Sequence, residues 1–349
     1  MKPMKFATYL SVIAMCMTTT GCSLFASEAS KEIDPPQDFT PQVITETIHP
    51  TSEISEVDQK SETRLQTIYA KDSKGFLAPI SVRIPQTPSP ARTTLEYMVE
   101  GGLGSQVLPA GFQAVLPKDT QIKGVNLIPS RKQVVVDFSQ SFTNYAAEDE
   151  RKILEALTWT LTGFPSIQSV EIWVEGIKIN EMPVAQTPLD TSLSRAMGIN
   201  LENAEQAIHN QTTPVTLYFL NQNEHHYTYY VPITRMIKRT TEIEKAVIAQ
   251  LILGPDDSKG LHTAILPSTE VNSVHTTDEL ITVDFNEFWL GPDQTVSADA
   301  LHMVLLSLTE NTNKNFVQFT VNGKPNVKTN EENYNNPVAR PKYVNKSKL

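Results

Sequence analysis

The sequence predicts an α+β fold carried twice: two tandem copies of a β-β-α-β-β-α-β unit, each with its helices packed on one face of a small mixed or antiparallel sheet. Short apolar blocks recur in the same order in both halves of the chain. Within each half, apolar spacing alternates between the period of a strand and that of a helix. The 349 residues are 40% hydrophobic, which is enough for two cores of ordinary size.

The recurrence is carried by spacing. Phe76 to Ile84 (FLAPISVRI) matches Tyr229 to Ile237 (YYVPITRMI), with Pro79 on Pro232 and Ile80 on Ile233, 153 positions apart. Ala114 to Pro117 (AVLP) matches Ala264 to Pro267 (AILP) at 150. Val134 to Phe138 (VVVDF) matches Ile281 to Phe285 (ITVDF) at 147, and that spacing holds through Leu154/Leu301, Leu161/Leu308 and Gly176/Gly323. Spacing that is constant within elements and shifts only between them marks a duplicated domain with loop deletions.

Each unit reads in the same order. Leu65 to Ala70 and Phe76 to Ile84 are strands, answered by Val215 to Leu220 and Tyr227 to Ile237. A helix follows, opened by Ser89 and Pro90 in the first unit and by a Thr241/Glu244 capping box in the second. Gly101-Gly102 and Gly254-Pro255 close these helices. Strands are next expected at Val125 to Ile128 and Gln133 to Phe138, and at Val271 to His275 and Leu280 to Phe285. A second helix shows one apolar stripe through Ile153, Leu154, Leu157 and Leu161, or Leu301, Val304, Leu305 and Leu308. The last strands are Ser169 to Val174 and Phe316 to Val321. The units occupy residues 61–180 and 213–328. Residues 181–212 read as a linker, with a short helix at Ala196 to His209, and the Asn-, Lys- and Pro-rich residues 329–349 read as a disordered tail.

The N-terminus addresses the chain to a membrane. Lys2 and Lys5 precede an apolar run from Phe6 to Met17 that is too short for a good transmembrane helix. Thr19-Thr20-Gly21-Cys22 then resembles a bacterial lipobox, with Thr19 where leucine is usual. Residues 1–21 are thus a lipoprotein signal peptide, and Cys22 is the expected lipidation site, on the extracytoplasmic face of the cell membrane. Multiple acyl chains anchor a protein stably where one does not. Residues 22–60 form an acidic tether: Ser23 to Lys60 carries eight acidic residues against Lys31 and Lys60, with Pro35, Pro36, Pro41 and Pro50. Such a segment spans roughly 120–135 Å at full stretch and about 30–37 Å on average.

The repeated blocks resemble the GerMN domain, found in sporulation and germination lipoproteins of spore-forming Firmicutes. The resemblance rests on Ala114 to Pro117 with Val135 to Phe138, on Ala264 to Pro267 with Thr282 to Phe285, and on the turns Glu100 to Gly102 and Leu253 to Pro255. It implies a fold similar to the ring-building modules of secretion systems. It also implies work as an assembly or scaffold lipoprotein, its partners being envelope proteins of the complex joining mother cell and forespore, with self-association as a further expectation. It brings no catalytic residues with it.

Chemistry is sparse in the sequence. The net charge of −10 argues against nucleic acid as a partner. Both cysteines, Cys16 and Cys22, lie before the folded region, which therefore has no thiol nucleophile. The seven histidines lack the spacing of a metal site, and no phosphate loop or nucleophile elbow is present. No cofactor, metal or enzymatic activity is expected. Asp137 and Asp284 recur before a phenylalanine, and a strand-end turn cap explains a lone repeated aspartate better than catalysis does. Glu224 to Tyr230 (EHHYTYY) is the candidate interface, with His225, Tyr227 and Tyr229 on one face of a strand. A lipoprotein binding cell-wall fragments is the alternative function. A wall hydrolase is a weaker one, requiring a second titrating group beside Asp137 or Asp284.

Overall fold

The computed structural model describes residues 63–202, 211–256 and 260–347. Cys22, the signal peptide and the tether lie outside them, as does half of the helix expected at Ala196 to His209. Of that helix, the described residues show a single 3-10 turn at Arg195–Met197.

In the first repeat, β1 (Thr63–Asp72) and β2 (Leu77–Pro85) form an antiparallel hairpin. Helix α1 (Pro90–Glu96) and the short β3 (Phe112–Gln113) follow, β3 pairing with the end of β1. β4 (Ile122–Ile128) and β5 (Gln133–Phe138) pair antiparallel, and β6 (Ser169–Val174) joins β5 in parallel after helix α2 (Glu150–Leu161). β7 (Ile177–Lys178) turns back on β6. The second repeat restates this with the hairpin β8 (Thr212–Gln222) and β9 (Thr228–Lys238) and helix α3 (Ile243–Leu253). Then come β10 (Val271–Thr276), β11 (Leu280–Phe285), helix α4 (Ala298–Asn311) and β12 (Phe316–Val321). β13 (Val338–Ala339) closes the chain's last sheet on β12.

The duplicated α+β fold is therefore present, with two differences of detail. Each repeat divides its strands between a sheet built on its hairpin (β2-β1-β3 in the first, β8-β9 in the second) and a separate four-stranded mixed sheet, where a single sheet was expected. The second helices also bury more than a stripe. Every residue from Ile153 to Leu161 is buried, Thr158 and Thr160 included. α2 contacts both β1 and β6, and α4 both β8 and β12, so each helix is buried against two layers. Its hydroxyls make this possible. Tyr69 N–H on β1 donates to Thr160 Oγ1 (3.0 Å), and Tyr218 N–H on β8 donates to Ser307 Oγ (2.9 Å). Each hydroxyl satisfies a strand amide that would otherwise be buried unpaired. The Thr241/Glu244 capping box does not form. Glu242 takes the cap position, and its N–H is received by Thr240 Oγ1.

The described residues of the expected linker and disordered tail, 181–202, 211–212 and 329–347, differ from that expectation, because they are folded parts of the repeats. Leu193 bridges Val170 on β6, and Val338 pairs with Val317 on β12 in the equivalent place. From there the chain lays down a strap in each repeat, Leu193 to Glu202 and Val338 to Ser347, related by a spacing of 145. Met182 and Leu189 are buried on the way to the first strap and Ile199 within it, as are Val327 and Tyr334 on the way to the second. Polar composition misleads here because the polar groups aim inward. The Glu150 carboxylate gathers Ala185 N–H (2.7 Å) and Thr187 N–H (3.0 Å), and Asn345 reaches buried main chain.

The straps are exchanged. Ile199 C=O receives Thr234 N–H (2.9 Å), and Thr234 C=O receives Glu202 N–H (2.9 Å), placing the first strap parallel to β9 of the second repeat. Ser81 on β2 contacts the second strap in the same manner, through Asn345 C=O and Ser347 N–H. The tight approach requires Gly198 (φ +76°), where a Cβ would come within 2.7 Å of Leu201 and 3.0 Å of Thr234.

Candidate functional site

The tyrosine strand proposed as an interface lies in the joint between the repeats, and this corrects its expected exposure. β9 begins at Thr228, so His225 sits in the preceding turn and does not share the tyrosine face. Tyr227 and Tyr229 do share a face and stack at 5.7 Å. What covers that face is the first repeat: Phe112 meets Tyr229 edge-on at 4.8 Å. Tyr229 is 1% exposed, and its hydroxyl donates to Asp72 Oδ2 at 2.7 Å. Asn221 Nδ2 donates to the same oxygen (3.1 Å), while Asp72 Oδ1 receives Lys74 N–H (2.9 Å) and Phe76 N–H (2.8 Å). Burial pushes the Tyr227 phenol up to about 12. Burial and the Asp72 carboxylate raise Tyr229 further. A phenol so held serves as a hydrogen-bond donor at neutral pH and does not act as a base.

A second buried polar cluster joins the straps, and sequence reasoning missed it. Glu310 on α4 accepts from Arg195 Nη1 (2.7 Å) of the first strap and from Arg340 Nη2 (2.6 Å) of the second. Arg195 lies 4.5 Å over the Trp159 ring, and its Nε donates to Thr162 Oγ1 (3.0 Å). Arg340 lies 5.5 Å over Tyr218 and donates to Leu306 C=O (2.7 Å) and Thr309 Oγ1 (2.7 Å). Burial alone would raise the Glu310 carboxyl, but the two guanidiniums outweigh it and hold it below the usual range. The available signal was the shared 145 spacing of Arg195/Arg340 and Asn200/Asn345, which continues the duplication past its apparent end.

Asp137 and Asp284 cap turns. Asp137 Oδ1 receives Gly176 N–H (2.9 Å), and Asp284 Oδ1 receives Gly323 N–H (2.7 Å) and Thr320 Oγ1–H (2.6 Å). Burial would raise Asp284, but these donors and Asn272 bring it below the ordinary carboxylate range. Both glycines adopt positive φ at the same turn. Among the described residues, no three His, Cys, Asp or Glu side chains are placed to hold a metal, and no helix is long and apolar enough to cross a membrane.

Fold and buried joint together define a class: a tandem α+β repeat protein whose halves are locked by exchanged straps. A profile of the Germane family, described as sporulation and spore germination, matches at residues 67–180 and again at 216–327, once in each repeat. The chain is 37% identical to the spore germination protein GerM of Bacillus subtilis (strain 168), over 95% of its own length and 96% of that protein's. The solved tandem GerMN domains of the Bacillus subtilis sporulation protein GerM superpose with a TM-score of 0.78 at 37% identity, covering 82% of this chain and all of that one. The chain belongs to the Germane family of sporulation and spore germination proteins, and the resemblance to GerMN domains holds in both repeats.

Proposed function

We propose that the protein is a lipid-anchored assembly factor of sporulation or germination, held on the extracytoplasmic face of the membrane through Cys22 and binding other envelope proteins. The observation that carries this reading is the family match in both repeats behind a lipobox-like Thr19-Thr20-Gly21-Cys22. The acidic segment between Cys22 and the first strand supplies reach from the membrane. The two repeats act as one rigid body, because straps, Glu310 and the Tyr229–Asp72 contact join them. The partners are proteins of the mother cell–forespore junction. Binding by this body is recognition by preformed surface, without a reacting group.

The test is affinity capture from sporulating cells with the wild type and with Cys22→Ala. Membrane association, lipid labelling and mass of the mature chain are followed in parallel. Loss of lipid and of membrane association in Cys22→Ala, with junction proteins captured by the wild type, is the expected outcome. Unchanged membrane association in the variant sinks the anchor. Reproducible capture of no envelope protein sinks the assembly role.

A further inference from the structure

The two repeats are alike in fold but opposite in charge at one place. β4 and β10 are the terminal strands of their sheets, and among the described residues neither has a second strand beside it. β4 exposes Lys123 and Asn126 and is otherwise half-buried, apart from the buried Ile122, whose C=O receives Arg92 Nη2 (2.6 Å), while β10 exposes Asn272, His275 and Thr276. The turn joining β4 to β5 carries Arg131 and Lys132, both exposed, while the turn joining β10 to β11 carries Asp278 and Glu279, both exposed. At the other end, the second residue of β4 is the exposed Lys123, and β10 follows the exposed Glu270. Duplication alone would give two edges of one sign. Here the turn end is basic on one edge and acidic on the other, and the far ends carry Lys123, itself paired with Glu175, and Glu270.

Unpaired edges are ordinarily protected by charge, bulges and shortness. Both edges have a bulge, between Ile122 and Gly124 and between Val271 and Ser273. A like-charged pair of edges would repel, whereas an opposite pair admits one particular contact. We propose that β4 of one chain docks against β10 of a second copy, antiparallel and edge to edge, with Arg131 and Lys132 beside Glu270 and with Lys123 beside Asp278 and Glu279. Asn126 and His275, both exposed, hold the same place in the two bulged hairpins and lie opposite each other in this register. Lys123 already pairs with Glu175 on its own chain, an exposed contact that a second acid can share.

The contact is heterologous: each copy offers a different edge at each end. It leaves one free edge of each sign on the assembled pair, so it propagates into an open chain or closes as a ring. This inference is independent of the anchor and of the junction partner. A chain that stays monomeric could still bind an envelope protein, and a self-associating chain could fail to.

The test uses the mature chain with Cys22→Ser, studied by sedimentation velocity over a wide concentration range. Concentration-dependent association, roughly tenfold weaker on raising ionic strength from about 0.05 M to about 0.5 M, is expected. Arg131→Glu with Lys132→Glu should abolish it, and adding Glu270→Lys should restore it. All three positions are exposed, so unchanged thermal unfolding certifies the fold of each variant. Mixed copies bearing Asn126→Cys or His275→Cys should form an interchain disulfide that neither forms alone to the same yield. A monomer at every concentration at low salt overturns the proposal, as does association indifferent to these reversals. If deleting residues 23–60 removes association while reversal of Asp278 and Glu279 is silent, the acidic tether occupies the basic edge and the proposal is equally overturned.

Discussion

Asn200 and Asn345 do the same work in opposite directions. Asn200 receives Leu77 N–H (2.9 Å) and donates to Leu77 C=O (2.8 Å) and Pro232 C=O (2.8 Å). Asn345 receives Tyr230 N–H (2.8 Å) and donates to Tyr230 C=O (2.8 Å) and Pro79 C=O (2.9 Å). Leu77 and Tyr230 are equivalent, as are Pro79 and Pro232, so each amide grips its own hairpin and reaches across to the other. The two repeats are thus related by an internal two-fold axis, and the asparagines fasten it on either side. Both adopt positive φ, the region asparagine tolerates best after glycine.

Replacing Asn200 with alanine should therefore cost about 2–4 kcal/mol, from buried amide and carbonyl groups left unpaired and from alanine at positive φ. Asn345→Ala should cost less, since that residue is only half-buried. The check is urea unfolding followed by fluorescence and circular dichroism. The singles should lower the midpoint, and the double variant should unfold in two separated steps as the repeats uncouple. A single unchanged transition in the double variant would refute the fastening role.

Tyr229→Phe removes one donor from Asp72 and leaves the Phe112 packing in place. A loss of about 1–2 kcal/mol is expected. The phenols also give a spectroscopic check. Tyr227 should ionise with a midpoint near 12, and Tyr229 above it, only as the fold opens. A raised phenol contributes stability below its unfolded pKa and loses that contribution as pH climbs through the folded value. The wild type should therefore lose its advantage over Tyr229→Phe in strong alkali.

Glu310→Gln leaves two guanidiniums in the joint without their anion. Breaking a buried ion pair from one side costs about 3–5 kcal/mol. The pH dependence follows from direction. The folded carboxyl titrates below its unfolded value, so its contribution is complete above the unfolded pKa and disappears as pH falls through the folded one. Stability measured across the acid range should fall less steeply for Glu310→Gln than for the wild type, and the two curves should converge at low pH. Parallel curves would place the carboxylate outside the stabilising network.

The core strands were legible in the sequence because they are bounded by turn residues and are central in their sheets. Gln133–Phe138, Ser169–Val174, Leu280–Phe285 and Phe316–Val321 fall where apolar spacing places them. Alternation also placed Tyr227 and Tyr229 on one face, but it cannot say what covers a face, and Phe112 comes from 115 or more positions away in sequence. The straps were illegible for a different reason. Their repeat signature is an arginine and an asparagine among unrelated residues, and a polar segment directed at buried carbonyls has the composition of a solvated one. Strand edges hide in the same way, since the Arg131-Lys132 and Asp278-Glu279 turns differ in charge only when their structural equivalence is known.

The last segment supplies the sharpest discrimination between those two compositions. A stop after Pro337 removes β13, the Arg340 contacts with Leu306, Thr309 and Glu310, and the Asn345 grip on both hairpins. If residues 338–349 were a solvated tail, the truncated chain would match the full one in stability and protease resistance. Arg340 supplies the charged donor to the Glu310 Oε2 that Tyr218 O–H also meets, and Asn345 reaches hairpins of both repeats, so the loss should exceed that of any single substitution above. We expect a drop of about 4 kcal/mol or more, with joint residues around Phe112 and Tyr229 becoming accessible to protease and to hydrogen exchange. Arg340→Ala in the full chain should reproduce roughly half of it by removing the guanidinium while keeping the Asn345 contacts. Equal stability of the truncated and full chains would show that the strap takes no part in the fold.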